Sequence, residues 1–340
     1  MSAAPSMTSL SAADLSTDQE VRWCPGCGDF SILAQLKKAL AESGIPRERL
    51  VFVSGIGCAS RFPYYLNTYG FHTIQGRAPT VATGLKLIRP ELSVWVVTGD
   101  GDALSAGGNH LLHALRRNVD IKILLINNEV FGLAKGLASP TSRPGTRTRT
   151  TPDGSIQNSL RPLSVALAAD ATFVARTVDV DIDHLTDTLK RAALHKGAAF
   201  VEIYQNCKVF NDGVFDYASD NAAKADHVLH LEHGQPLLFG KDRTRGVRLN
   251  GVEPELVTLG NGIGLEQIVI HDEQAARPTL AFLLSLLTYP DYPEGVGVFR
   301  CVRRPTHDEL MERQLADAVA RRGRGSLEEL LVSADVWDVT

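Results

Sequence analysis

Apolar and polar positions alternate along this chain in two rhythms. Over residues 31–43 the apolar side chains fall at Ile32, Leu33, Leu36, Ala39 and Leu40, the spacing of one buried helical face, and Gly44 supplies a stop. Residues 50–54 then form an unbroken apolar run of strand length. The same pair of rhythms repeats. It predicts helices over 80–87, 107–117, 163–168 and 182–193, and strands over 94–97, 121–126, 171–175 and 200–204. Strands without period-two alternation, separated by helix-length segments, predict a parallel sheet covered on both faces. The expected fold class is therefore α/β, a doubly wound and mostly parallel sheet.

Three stretches break the rhythm. Residues 1–18 are rich in Ser, Ala and Thr and are expected to form a disordered tail. Residues 138–161, dense in Pro, Gly and Thr, form a connection too long to be a bland one. Arg143, Arg147 and Arg149 within it are expected to be solvated. From residue 208 the alternation ends, and a less regular C-terminal extension follows, with helices over 308–320 and 327–332. The expected division is thus a tail over 1–18, an α/β domain over 19–207 and an extension over 208–340.

Composition narrows the function classes. The chain has 340 residues, 44% of them apolar, which is ample for a buried core. Its 35 basic and 39 acidic residues give a formal charge of −4, which argues against nucleic acid or an anionic membrane surface as partner. The longest apolar runs, over 123–126 and 280–287, are far short of the roughly 18 residues that cross a bilayer. Residues 1–20 hold no Lys or Arg and no apolar core of a leader, so a cytoplasmic protein is expected.

Five cysteines are present, an odd count that does not read as a disulfide framework. Cys24 and Cys27 form a C-x-x-C in Trp23-Cys-Pro-Gly-Cys-Gly28, while Cys58 and Cys207 each follow a predicted strand. A thioredoxin-like pair would open a helix after a first strand, and this pair precedes every predicted strand. A four-thiolate zinc site usually comes as two C-x-x-C pairs. An iron–sulfur cubane accepts dispersed thiolates. Spacing alone leaves cluster, zinc and structural thiols open. Cys301, in an apolar run, reads as a small buried hydrophobe.

The most specific pattern follows the strand over 94–97. It is Gly99-Asp-Gly-Asp102, then a helix and a strand, then Asn127-Asn-Glu-Val-Phe-Gly132. Glycines at the carboxyl end of a parallel strand let backbone amides approach a phosphate. A dinucleotide-type G-x-G-x-x-G and a Walker lysine are both absent. Neighbouring strand ends lie roughly 4.8 Å apart. Asp100, the Asn128 amide oxygen and a backbone carbonyl therefore offer three hard ligands to Mg²⁺, with diphosphate oxygens and water completing its shell.

The Gly-Asp-Gly turn with an Asn pair ending the next strand resembles the thiamine diphosphate motif. The surrounding words resemble one branch, the β subunits of the 2-oxoacid:ferredoxin oxidoreductases. These words are Trp23 to Asp29, Gly55-Ile-Gly-Cys-Ala-Ser-Arg61, His72-Thr-Ile-Gln-Gly-Arg77, Gly99 to Asp102 and Asn127 to Gly136, in the family's order over roughly residues 20–240. The resemblance implies a thiamine-diphosphate-binding fold and a 4Fe–4S cluster on Cys24, Cys27, Cys58 and Cys207. It further implies Mg²⁺ on Asp100, Asn128 and the Val130 carbonyl. The cofactor would lie against Ile56, Gly57, Cys58, Ala59, Gln75, Gly101, Asp102, Gly132 and Leu133. Gln75 stands where many relatives have a second His, which puts a proton-transfer role at that position in doubt.

The same resemblance implies oxidative decarboxylation of a 2-oxoacid, with acyl transfer to coenzyme A and electrons passed through the cluster to ferredoxin. It also implies an α subunit that supplies the pyrimidine-binding half, without which this chain is inactive. Arg61, three residues after Cys58, suits the distal carboxylate of 2-oxoglutarate, and Leu133 is expected to shape the same pocket. His110 and His113 are expected to pack or cap. The competing readings are a pyruvate or indolepyruvate oxidoreductase subunit, and a non-catalytic zinc-binding protein on a degenerate thiamine fold.

Overall fold

The unalternating apolar runs become the centre of one eight-stranded sheet. In the computed structural model, which describes residues 10–332 and 337, the first strands are β1 (Leu50–Ser54), β2 (Tyr69–His72), β3 (Ser93–Gly99) and β4 (Ile121–Asn127). Two short strands, β5 (Val130–Phe131) and β6 (Leu137–Ala138), form a hairpin just past β4. β7 (Phe173–Val178), β8 (Ala199–Tyr204) and β9 (Val228–Leu231) follow. An antiparallel meander of β10 (Leu238–Phe239), β11 (Arg245–Asn250) and β12 (Glu253–Thr258) precedes the last strand, β13 (Glu294–Cys301). The main sheet runs in the order β2-β1-β3-β4-β8-β7-β13-β9. Its first six strands are parallel, and β13 enters antiparallel to β7 with β9 parallel to β13.

Every residue of β1, β4, β7 and β8 is buried, because helices cover both faces. On one face Phe52, Trp95, Leu124 and Val201 pack against Ile32 and Leu36 of the helix Asp29–Glu42 and Leu185 and Leu189 of the helix Ile182–Leu194. On the other, Val53, Val96, Ile123 and Phe200 meet Ala82, Leu111 and Leu163 from the helices Ala78–Ile88, Gly108–Arg116 and Pro162–Ala168. Each large side chain taken from water in this way contributes about 1.5–3 kcal/mol. The expected α/β class is the observed one.

Three expectations change. Residues 10–18 are folded rather than disordered. Leu15 is fully buried, its carbonyl accepts from the Asn67 N–H (2.9 Å), and Thr17 Oγ1 donates to the Tyr64 carbonyl (2.9 Å). Residues 1–9 of the expected tail lie outside the described residues. The segment from 208 onward is not separate from the sheet, since β9 and β13 extend it beyond β7. Finally, β2 is an unforeseen edge strand. All four of its residues are exposed, so no apolar run marks it. Helices His307–Arg322 and Leu327–Leu331 lie where the periodicity places them, the first closed by a capping box between Thr306 and Glu309.

Parallel strands leave their carboxyl ends on a common rim, and ligands of such sheets bind outside that rim. The loops after β1, β3, β4, β7 and β8 carry, in turn, Cys58, Asp100, Asn128, Asp179 and Cys207.

Candidate active site at the carboxyl rim

A cavity of about 250 Å³ opens between the loops after β1, β3 and β4. Its wall includes Ile56, Gly57, Cys58 and Ala59 from the first loop, Asp100, Gly101 and Asp102 from the second, and Asn128, Val130, Gly132 and Leu133 from the third. Gln75 closes one side and Asp29 another. Gly101 must be glycine here, since a Cβ would lie 2.2 Å from the Phe131 ring and close the cradle. At Gly55 a Cβ would sit 2.0 Å from an Asp102 oxygen.

Asp100 and Asp102 occupy this wall in different states. Asp102 Oδ1 accepts from the backbone N–H groups of Ile56 (3.2 Å) and Gly76 (2.7 Å), and Oδ2 accepts from Thr98 Oγ1 (2.6 Å). Its carboxylate is a brace that ties three loops together. Asp100 is buried, and one oxygen accepts from both Ser139 Oγ and Thr141 Oγ1 at 2.6 Å. Burial pushes its carboxyl up to about 6. The hydroxyls come from the start of the long 138–161 connection, so its first residues are buried structure and its length serves the rim.

Next along the rim, Asn128 Oδ1 accepts from the Val130 N–H (3.2 Å), and the Val130 carbonyl accepts from the Gly132 N–H (3.0 Å). Each oxygen keeps a further lone pair. The cavity wall holds three carboxylates and no Lys or Arg. A diphosphate could enter only with a cation and backbone N–H donors to balance it. The wall therefore suits a Mg²⁺–diphosphate pair.

A second cavity, of about 230 Å³, shares Cys58, Asn128, Gly132 and Leu133 with the first. Cys24, Cys27 and Cys207 complete its four thiols. The C-x-x-C turns tightly, with the Cys27 N–H bonded to the Cys24 carbonyl (3.0 Å), and Trp23 Nε1 fastens it to the Cys58 carbonyl (2.9 Å). The Cys58 and Cys207 sulfurs flank one spot, each 3.7 Å from where a Cβ on Gly132 would lie. Among the described residues no three His, Cys, Asp or Glu side chains converge closely enough for a single ion. Thiols arrayed around a cavity, instead of at one point, suit a polynuclear centre. Burial, with Asp29 next, raises the Cys58 thiol to about 11 and drives Cys27 further up. These groups stay protonated until a thiophilic cation displaces the protons. Cys301 stands apart, half-buried at the edge of the core rather than fully inside it.

Three contributors escaped the sequence reading. Gln205 is buried between the two cavities, accepting from Asn128 Nδ2 (2.9 Å) and placing Nε2 3.1 Å from the Cys27 sulfur. Asp29 is buried with one oxygen unpartnered, and burial pushes its carboxyl up to about 7. Arg143 is exposed, as expected, yet its guanidinium pairs with Glu129 (3.1 Å) and donates to the Val214 carbonyl (2.9 Å). Asp29 closes the word that begins at Trp23, but nothing in that word marks its burial, and only position in space marks Gln205 and Arg143. Arg147 and Arg149 are exposed as expected. Arg61 is half-buried where the thiol cavity meets a third cavity lined by Gly57, His72 and Leu133, and it forms no ion pair with a described residue. His110 and His113 line neither the diphosphate-type cavity nor the thiol cavity.

Residues 55–203 match the profile of the thiamine pyrophosphate enzyme C-terminal TPP-binding domain. The chain is 50% identical over 329 residues to 2-oxoglutarate oxidoreductase subunit KorB of Mycobacterium tuberculosis, covering 96% of this chain and 88% of that one. This chain belongs to the β subunits of the 2-oxoacid:ferredoxin oxidoreductases. Another such β subunit, from Aeropyrum pernix, is 45% identical over 206 residues, 61% of this chain and 65% of its own length. Among solved structures, the 2-oxoglutarate:ferredoxin oxidoreductase of Magnetococcus marinus, with 2-oxoglutarate, coenzyme A and succinyl-CoA bound, matches with a TM-score of 0.74. It is 30% identical, over 98% of both chains.

Proposed function

We propose that this β subunit works with an α subunit to convert 2-oxoglutarate and coenzyme A to succinyl-CoA and CO₂, delivering the electrons to ferredoxin. The observation that carries the reading is the shared wall. One cavity suits a metal-bound diphosphate, the other suits a four-thiolate cluster, and Cys58, Asn128, Gly132 and Leu133 line both. When bound, thiamine diphosphate supplies the electron sink for decarboxylation and the 4Fe–4S cluster a one-electron outlet.

The chain's own residues do the rest. Asp100, Asn128 and the Val130 carbonyl would hold Mg²⁺, with Ser139 and Thr141 fixing the Asp100 carboxylate. Gly57, Gly101 and Gly132 leave room for the diphosphate and thiazolium. Asp102 keeps the three loops in register and would itself face the cofactor from the cavity wall. Cys24, Cys27, Cys58 and Cys207 would bind the cluster, and Gln205 orients Cys27 and Asn128 together. The unpaired Arg61 guanidinium would receive the distal carboxylate of 2-oxoglutarate against Leu133. Pyruvate, which lacks that carboxylate, would leave Arg61 without a partner, and this favours the five-carbon substrate.

The decisive experiment is cofactor and metal analysis of the anaerobically purified complex. Visible spectra are taken before and after adding 2-oxoglutarate and coenzyme A. Iron, sulfide, thiamine and a brown chromophore that bleaches with substrate are expected. A colourless zinc protein overturns the reading. The chain expressed alone is expected to give no 2-oxoacid-dependent viologen reduction.

A further inference from the structure

Gln205 lines the thiol cavity, while Asn128 lines both cavities. The Gln205 side chain is 1% exposed, and a buried amide is costly unless its polar atoms are bonded. Oε1 accepts from Asn128 Nδ2 (2.9 Å), and Nε2 donates to the Asn206 carbonyl (2.8 Å) and to the Cys27 sulfur (3.1 Å).

The direction of this chain of bonds is fixed at both ends. The Asn206 carbonyl can only accept, so the amide nitrogen of Gln205 must face it and the sulfur beside it. Asn128 Oδ1 accepts from the Val130 N–H (3.2 Å), which leaves Nδ2 to face Gln205. Backbone bonds hold the frame, with the Gln205 N–H donating to the Asn127 carbonyl (2.9 Å) and the Gly28 N–H to the Asn206 carbonyl (3.2 Å). A Cβ on Gly28 would lie 3.0 Å from Gln205 Cγ, so the chain just past the C-x-x-C is seated on this side chain. Two amides in series thus join an oxygen suited to Mg²⁺ to a sulfur suited to a cluster.

We infer, resting on the function proposed above, that Gln205 is a positioning residue that sets the reduction potential of the four-thiolate centre and ties it to occupancy of the diphosphate cavity. A hydrogen bond donated to a ligating thiolate offsets negative charge on the sulfur, and that charge is larger in the reduced state. The bond therefore favours reduction and raises the potential. A cation drawing on Asn128 Oδ1 polarises both amides in turn and makes Nε2–H a stronger donor. Filling one cavity makes the neighbouring centre a better electron acceptor when an electron donor is in place. By reciprocity, reduction of the centre tightens the hold on the cation by the same factor.

The test uses the intact complex, purified anaerobically, with Gln205→Met, which keeps the length of the side chain and removes its amide. The midpoint potential is read by dithionite titration followed by electron paramagnetic resonance, with and without Mg²⁺ and thiamine diphosphate. In Gln205→Met the reduction equilibrium is expected to fall about tenfold, which for one electron is about 59 mV more negative. Adding Mg²⁺ and thiamine diphosphate should leave the unmodified potential more positive, relative to its starting value, than the same addition leaves that of Gln205→Met. This comparison cancels the through-space charge of the cofactor, which acts on both proteins alike. Iron content, sulfide content and circular dichroism are expected to be unchanged. Gln205→Leu repeats the measurement where methionine perturbs folding or assembly.

An unchanged potential in the variants overturns the inference and leaves Gln205 as packing. An equal cofactor-induced shift with and without Gln205 overturns the coupling. Loss of iron from both variants would assign Gln205 to retention of the centre and overturn its tuning role. An unmodified complex without iron or substrate-dependent dye reduction would instead reject the underlying function.

Discussion

At the amino ends of the sheet strands the buried charges are answered from within the chain. Asp120, just before β4, meets Lys122 at 2.7 Å, Lys86 at 3.0 Å and Lys196 at 3.2 Å, and it also accepts from the Gly197 N–H. Burial alone would raise its carboxyl, yet Lys122 and Lys86 hold it well below the usual range. Thr172 links Asn118 (2.7 Å) and His195 (2.8 Å) beside it. At the carboxyl ends the polar groups are left incomplete. Among the described residues, Asp29 has an oxygen without a partner, Cys58 and Cys27 are thiols with raised pKa values, and Arg61 forms no ion pair. A buried charge without a partner is costly, so an unfinished set persists where a ligand finishes it. One end of the sheet is built for stability and the other for binding. Asp102 is the exception at the binding end, a carboxylate in the cavity wall that three donors within the chain already engage.

Four substitutions test that contrast, in falling order of expected effect. Cys58→Ala should cost at least about 4 kcal/mol in activity, a thousandfold or more, and bleach the visible spectrum while leaving the circular dichroism unchanged. Turnover with ferredoxin at an undiminished rate would refute the assignment of Cys58. At the opposite end, Asp120→Ala leaves two buried lysines unanswered. It should lower unfolding stability by about 3–5 kcal/mol, with substrate KM unchanged in the protein that stays folded.

Arg61→Ala removes one charge-assisted contact, worth about 2 kcal/mol. It should raise the KM for 2-oxoglutarate about thirtyfold and that for pyruvate hardly at all. Equal effects on both would remove Arg61 from substrate choice. The smallest effect concerns His195, whose ring burial and nearby Lys122 hold at about 4. The folded state therefore keeps it neutral where the unfolded chain would bind a proton. Its stabilisation is complete above pH 6.5 and is lost progressively as pH falls from 6.5 through 4. Denaturation curves of His195→Gln should lack that part of the acid dependence.

The sheet's centre was legible because its strands are fully buried and so read as apolar runs: the segment 50–54 is β1 itself, and 121–126 differs from β4 by one residue. The edge was not. β2 is exposed throughout, and β13 carries Glu294, Arg300 and three glycines or cysteines among its apolar positions. The rim was legible where a motif is continuous, as in Gly99 to Asp102, and illegible where a residue matters only through a neighbour distant in sequence. Gln205 belongs to the second kind, as do Ser139 and Thr141.

What the chain determined unaided was its local chemistry. Hydrophobic rhythm chose helices and strands, and a continuous word such as Gly99 to Asp102 marked a phosphate-type turn, because each depends on residues within a few positions of one another, whereas the four-thiol set came only with the family resemblance. Only the tertiary structure decided which of these met. Cys58 and Cys207 are brought to one cavity by strand order, and Cys24 joins them from the segment before the first helix, fastened there by Trp23 to the Cys58 carbonyl. Charges and lone pairs act over a few ångströms of space, and distance in space is what a linear pattern does not contain.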